Sequence, residues 1–254
     1  LVTLVKNILK GFGLMIYAIS DLHLSFSVQK PMDIFGGKWE NHYEKIRENW
    51  ENKIKPEDTV ILPGDFSWGM TLEEAKSDFA FLHALPGRKI IGKGNHDYWW
   101  QTKKKLDSFL IDNSFDSISI LYNNAYKVEN KIICGTRGWI VENTPSQDDE
   151  KIILREAGRL ELSISEGKKI IEQIGFDNNL TEKPEIIVFL HYPPAYRGDF
   201  SVPILKILVR ENIKRCFYGH IHSAENKYLI QKYGNTILNL ISSDYLNFDP
   251  IEII

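Results

Sequence analysis

The run Lys89-Ile90-Ile91-Gly92-Lys93-Gly94-Asn95-His96-Asp97-Tyr98-Trp99-Trp100 sets a short apolar strand directly before an amide, an imidazole and a carboxylate. Ligand chemistry in α/β proteins is placed at strand ends. Reading the apolar part as a buried strand therefore makes Asn95, His96 and Asp97 candidate site residues. The glycine at 94 lets the backbone turn sharply and come close to a bound group.

Working toward the N-terminus, residues 59–62 read as another strand, ending in Pro63-Gly64-Asp65. Residues 15–19 read as a third, ending in Ser20-Asp21-Leu22-His23. Pro31, Gly36 and Gly37 mark 24–38 as a loop. Trp39, Tyr43, Ile46 and Trp50 recur at helical spacing over 39–54, and Pro56 stops that helix. Thr71 with Glu74 makes a capping box for a second helix, and a third runs over about 101–111. Strand alternating with helix predicts a largely parallel sheet covered by helices.

Beyond residue 111 the pattern changes. Residues 125–128 and 131–134 read as a hairpin turning at Glu129-Asn130. A polar loop at 144–149 leads into a long helix over 148–174, broken at Asp177-Asn178-Asn179. Strands at 185–190 and 215–218 deliver His191 and Gly219-His220-Ile221-His222, with a helix from Pro203 between them. A closing hairpin, 228–230 with 236–241, turns at Gly234-Asn235. No repeat or linker divides the chain. The expected organisation is one domain over 15–254, with 1–14 as an upstream extension.

The chain has 254 residues, 43% hydrophobic and 26% charged, which is enough to bury a full core. Its formal net charge of -3 gives no sign of nucleic-acid binding, and no segment reads as a membrane span. Cys134 and Cys216 are far apart and fit a reducing, cytoplasmic setting without a disulfide framework. Composition leaves the oligomeric state open.

Five of the 7 histidines fall at the strand ends, while His42 and His83 read as ordinary helix residues. In Asp21-x-His23 and His220-x-His222, side chains two apart share a face of extended chain. Imidazole and carboxylate together suit Mn, Fe, Zn, Co or Ni better than calcium. Any one of these groups is a weak signal, but five strand ends agreeing in residue type and order is a specific one.

The series Asp21-x-His23, Gly64-Asp65, Gly94-Asn95-His96-Asp97, His191 and Gly219-His220-x-His222 resembles the signature of the calcineurin-like metallophosphoesterase superfamily. It is close to that of the bacterial cyclic-nucleotide phosphodiesterase-like phosphohydrolases. The resemblance implies a four-layer α/β fold, two mixed β-sheets packed face to face and flanked by helices. It also implies two divalent transition-metal ions, with Mn the first expectation and Fe, Zn, Co or Ni as alternatives. Carried over by position, Asp21, His23, Asp65 and His222 would hold one ion. Asp65, Asn95, His191 and His220 would hold the other, with Asp65 bridging. His96 would be the catalytic residue, facing the substrate as a cation or general acid. The implied chemistry is attack on a phosphoester by a metal-bridging hydroxide. The Gly-Asp-x-x-Asp-Arg-Gly motif of protein serine/threonine phosphatases is absent, since this chain has Gly64-Asp65-Phe66-Ser67-Trp68-Gly69, and that disfavours a protein substrate.

Asp97 is read equally as orienting His96 or the loop, or as capping the next helix. Arg137 and Trp100 are the candidate substrate-binding residues, Arg137 for a phosphate and Trp100 for a ring. Tyr98, Trp68, Trp99, Trp139 and Arg197 are weaker candidates of the same kind. The expected partner is a small phosphomonoester or phosphodiester. A metal-bearing but non-catalytic interaction module and a nuclease of the same superfamily are the competing readings.

Overall fold

The computed structural model describes residues 14–140, 146–175 and 183–253. The extension read over 1–14 therefore lies outside the described residues except for Leu14. So do the start of the 144–149 loop and the break at Asp177-Asn178-Asn179.

Two large sheets face each other. The first has the order β13-β1-β2-β3-β4. Its members are β1 (Ile16–Ala18), β2 (Thr59–Leu62), β3 (Arg88–Ile91), β4 (Ile118–Ile120) and β13 (Ile251–Glu252). All neighbours are parallel except β13, which runs antiparallel to β1. The second sheet has the order β11-β12-β10-β7-β6-β5. It holds β5 (Tyr126–Val128), β6 (Lys131–Thr136), β7 (Glu185–Leu190), β10 (Arg215–Tyr218), β11 (Lys232–Tyr233) and β12 (Thr236–Leu240). Its centre is parallel and its two outer pairs are antiparallel hairpins. A two-residue ribbon pairs β8 (Ala195–Tyr196) with β9 (Asp199–Phe200).

Side-chain alternation along the strands sets the layers. Ile16, Ala18, Ile61 and Ile90 point between the sheets, where they meet Ile133, Ile187, Phe189 and Phe217. Their neighbours Tyr17, Val60, Leu62 and Ile91 point outward onto α1 (His42–Lys53), α2 (Leu72–Ala84) and α3 (Lys103–Asp112). On the far side, Ile132, Cys134, Val188, Leu190, Cys216 and Tyr218 point onto α4 (Gln147–Gly175) and α5 (Val202–Arg210). The result is the four-layer α/β arrangement expected.

Several local expectations change. Thr71 caps α2 by accepting from Glu74 N, but Glu74 Oε2 accepts from Met70 N, so the reciprocal half of the box is displaced by one residue. Trp39 lies in a short 3₁₀ turn ahead of α1, so that helix starts three residues later than its spacing suggested. The closing hairpin pairs β12 with 232–233 rather than with 228–230. The strands β4 and β13 are too short to carry a periodic signal. Lys89, fully buried at the head of β3, donates its ammonium to the carbonyls of Leu85 and His83 as α2 ends. Burial pushes it down to about 8. No described helix is long and apolar enough to cross a membrane.

Candidate active site

The C-terminal ends of β1, β2, β3, β7, β10 and β12 meet along one edge, and the backbone stitches them together. Past β1, Ile19 N donates to Ile61 O in the first sheet, while Ser20 N donates to Ile241 O beside the second. That strand end thus belongs to both sheets. Asp21 N then donates to Gly64 O, His23 N to Asp65 O, and Gly219 N to His191 O, each at 3.0 Å. Asp21, His23, Asp65 and His220 have φ of 61°, 49°, 51° and 71°. Left-handed backbone at non-glycine residues is sparsely populated and gathers at functional sites.

Side chains from these loops converge in two groups, Asp21/His23/His222 and Asp65/His191/His220, each with its ligand atoms within 4.8 Å of one another. In the first, His23 Nε2 lies 3.1 Å from His222 Nε2, and Asp21 Oδ1 lies 3.7 Å from the latter. In the second, Asn95 Oδ1 is 2.7 Å from His191 Nε2 and 2.9 Å from His220 Nδ1. Asp65 Oδ2 stands between them, 3.5 Å from His191 Nε2 and 3.8 Å from His23 Nε2. His96 Nε2 is 4.0 Å from the same oxygen, and its half-buried ring packs on Trp68 at 4.3 Å. The structure thus brings Asp21, His23, Asp65, Asn95, His96, His191, His220 and His222 to one place.

Two residues that the motif reading did not single out hold this arrangement. Asp244, in the segment after β12, accepts from His222 Nδ1 and Ser223 N, which leaves His222 Nε2 facing the site. Trp39 sets its ring edge-on to His23 and His222 at 5.8 and 5.4 Å. The signal available for Asp244 was its place in Ser242-Ser243-Asp244, one more polar cluster at a strand end.

Asp97 does not cap the next helix; of the expected roles it takes that of orienting the loop. Helix α3 is capped by Thr102, and the Asp97 carboxylate turns inward. Its Oδ2 accepts from Asp65 N and Gly94 N, and its Oδ1 from Phe66 N, Ser67 N and the Trp99 indole. It clamps the Asp65 loop to the Asn95 loop. Trp100 also needs correction as a substrate face. It is 8% exposed, packed between Trp99 and Tyr122, because the indole bond to Asp97 folds this tail into the core. Tyr98, exposed, and Trp68, half-buried, are the aromatic rings beside His96. Arg137 lies at the end of β6 over the Trp139 ring, and Arg197 is exposed against Tyr196 and Tyr228.

Burial dominates the electrostatics. It raises Asp65 well above the usual carboxylate range, helped by the charges of Asp21 and Asp97, and it raises Asp21. Burial and the neighbouring imidazoles hold His23 and His191 well below 6.5 and His220 at about 4. At His222 burial is outweighed by the Asp244 hydrogen bond and the Asp21 charge, so its value rises. His96 is lowered by burial, then by His222 and Lys30. This favours the neutral imidazole at His96.

This donor set fits divalent transition metals. Burial favours the neutral form of three imidazoles, the Asp65 carboxylate lies between the two groups, and two Nε2 atoms lie 3.1 Å apart. A consequence for pH follows. Asp21, Asp65 and His222 all have raised values, so their contributions to the metal-free fold are full below 3.8 for the carboxyls and below 6.5 for His222. Those contributions fall as pH rises through the raised values. Bound cations need the deprotonated forms. Metal loading should therefore release protons and tighten with pH. At a hundredfold excess over Kd it should raise Tm by about 5–10 °C, and the gap should widen from pH 6 to 8. Calorimetry in two buffers of different ionisation enthalpy checks the proton release.

Three solved structures share the fold. A protein of unknown function from Aquifex aeolicus is 20% identical, with a TM-score of 0.50 over 94% of this chain and 96% of its own. The phosphopantetheinyl hydrolase of Mycobacterium tuberculosis is 13% identical, with a TM-score of 0.50 over 94% and 95%. A Thermus thermophilus protein is also 13% identical, with a TM-score of 0.51 over 94% and 98%. Comparison with curated proteins finds no match. The sequence pattern of the calcineurin-like phosphoesterases matches residues 14–224, which span every one of the converging ligands, and on that match the chain belongs to the calcineurin-like phosphoesterase family.

Proposed function

We propose that the chain hydrolyses a small phosphomonoester or phosphodiester with two divalent transition-metal ions, Mn²⁺ first among them. Asp21, His23, Asp65 and His222 would hold one ion, and Asp65, Asn95, His191 and His220 the other. The observation that carries this reading is the pair of ligand groups meeting at the single Asp65 carboxylate, with His96 beside them. When bound, such ions neutralise phosphoryl oxygens and lower the pKa of water.

The chain's own residues do the rest. Asp65 Oδ2 lies within reach of both halves, so one carboxylate sets their spacing. Asp244 fixes the tautomer of His222. His96 Nε2, neutral before substrate arrives, faces the site. The charge of an incoming phosphate restores its proton, which it then donates to the leaving oxygen.

The test is hydrolysis of nitrophenyl phosphate and of its bis ester with added Mn²⁺. His96→Ala should lower kcat by about 10²–10⁴-fold while keeping both metals. No turnover with Mn, Fe, Zn, Co or Ni across a broad phosphoester panel would overturn the enzyme reading. Full metal occupancy without turnover would favour the interaction module instead.

A further inference from the structure

Beside the Asn95–His191 half of the site, the ends of β3, β4 and β6 face α4 across a narrow crevice whose interior, about 10 Å³, has room for one water. Lys93, Tyr122, Arg137, Glu156 and Arg159 line it. Lys93 is two residues from Asn95, and the Arg137 carbonyl accepts from His191 N at 3.0 Å and Tyr192 N at 2.8 Å. The crevice is thus built on the same loops as the candidate ligands.

Its charges do not balance. Glu156 is fully buried and is the carboxylate that lines the crevice. Its Oε1 takes Arg159 Nη1 at 2.7 Å and Arg137 Nη2 at 3.6 Å, and its Oε2 takes the Thr136 hydroxyl at 2.7 Å. Its capacity is spent on those partners. Arg137, 15% exposed and held 5.0 Å over the Trp139 ring, keeps a buried Nε with no acceptor among the described residues. The half-buried Lys93 ammonium has no hydrogen-bond or ion-pair partner among them either. Four cations, Lys93, Arg137, Arg155 and Arg159, therefore face two carboxylates, Glu156 and the buried Asp97 whose charge reaches Lys93, in a chain whose net charge is -3. Packing like charges together in a poorly solvated place is unfavourable unless an anion joins them. Guanidinium and ammonium groups in this number suit a phosphate.

From this surplus we infer that Lys93, Arg137 and Arg159, all partly exposed at the mouth of the crevice, form a subsite for a second, non-scissile phosphate on the substrate. The inference rests on phosphoester hydrolysis at the neighbouring site and narrows its substrate class to small molecules carrying two phosphates. The bound phosphate takes the donors that Glu156 leaves over, and it places the scissile ester over the Asn95–His191 half.

The deciding experiment is binding of inorganic pyrophosphate to metal-free protein, followed by thermal shift. Wild type should show a saturable rise in Tm. Lys93→Met keeps the aliphatic stem and removes the unpaired charge, so it should melt no lower than wild type and bind at least tenfold more weakly. Lys151→Met, at an exposed lysine of α4, should bind as wild type. A non-saturable shift, an equal shift in Lys93→Met, or a Lys93→Met protein melting well below wild type would overturn the subsite. With Mn²⁺ added, kcat/KM for fructose bisphosphate over fructose monophosphate should exceed tenfold in wild type and collapse toward unity in Lys93→Met. Turnover of both sugars without preference sinks this inference alone. Absence of any phosphoester turnover counts against the hydrolase reading, and the pyrophosphate result still decides the subsite.

Discussion

Gly94→Ala should leave a destabilised protein that neither loads its full metal complement nor hydrolyses phosphoesters. A Cβ at position 94 would lie 2.8 Å from Asp65 Cγ, and closer still to Asp65 N and Oδ1. No rotamer of a neighbour relieves this, because part of the obstacle is backbone. The facing residue is equally constrained: Gly64 has φ +117°, and a Cβ there would meet Gly94 N at 2.5 Å. The two loops must separate, and Asp65, whose carboxylate lies between the two ligand groups, moves with them. Overpacking of this kind costs about 1–3 kcal/mol, and breaking the Asp97 clamp adds to it. A displacement near 1 Å at a reacting centre costs on the order of 10²-fold in rate. Denaturant unfolding, metal analysis and nitrophenyl phosphate turnover measure the three effects. Wild-type metal stoichiometry in Gly94→Ala would mean the loops have slack the structure does not show.

The second large effect is expected at Asp97, a residue outside both ligand groups. Asp97→Asn keeps the shape but replaces one acceptor oxygen with an NH₂ group. Oδ2 takes Asp65 N and Gly94 N, and Oδ1 takes Phe66 N, Ser67 N and the Trp99 indole. Either orientation of the amide points N–H at N–H and leaves at least two buried backbone donors unpaired. Each such donor costs about 1–3 kcal/mol. The variant should lose roughly 3–5 kcal/mol and bind metal weakly, since Asp65 N and Gly94 N belong to the two ligand loops. Asp97→Glu should not rescue it, because the longer side chain has no room at a site 1% exposed. Urea unfolding of the metal-free proteins isolates the stability effect. A loss under about 1 kcal/mol would show that the loops hold together without the clamp.

These two residues also mark how far the primary structure could be read. Gly94, Asn95 and His96 were legible because a strand end followed by glycine and ligand-type side chains is a local pattern, repeated at Asp65 and His220. Asp97 belongs to the same four-residue run, yet its partners lie some thirty residues back, at Asp65, Phe66 and Ser67. No local pattern separates a carboxylate that faces the site from one that turns inward to satisfy backbone donors. Trp100 failed for the same reason. An aromatic beside a motif looks the same in sequence whether it faces solvent or core, and the Asp97–Trp99 bond decides which. Asp244 shows the reverse case, a residue outside every motif that sets the tautomer of His222 across 22 residues.

What the sequence by itself determined is the alternation and the ligand types. Short apolar runs alternating with helical segments call for a largely parallel sheet covered by helices, and the four-layer α/β arrangement came with the family resemblance. Carboxylate, amide and imidazole at successive strand ends call for a transition-metal site, and phosphoester chemistry came with the family resemblance. Which polar groups are spent on each other is settled only in the folded chain. Asp97 is used up by backbone donors and Glu156 by Thr136 and the arginines, while Lys93 is left unpaired. Hydrogen bonds and charges are satisfied in three dimensions between chain-distant groups. The surplus that remains to bind a ligand is therefore visible only after every other pairing has been made.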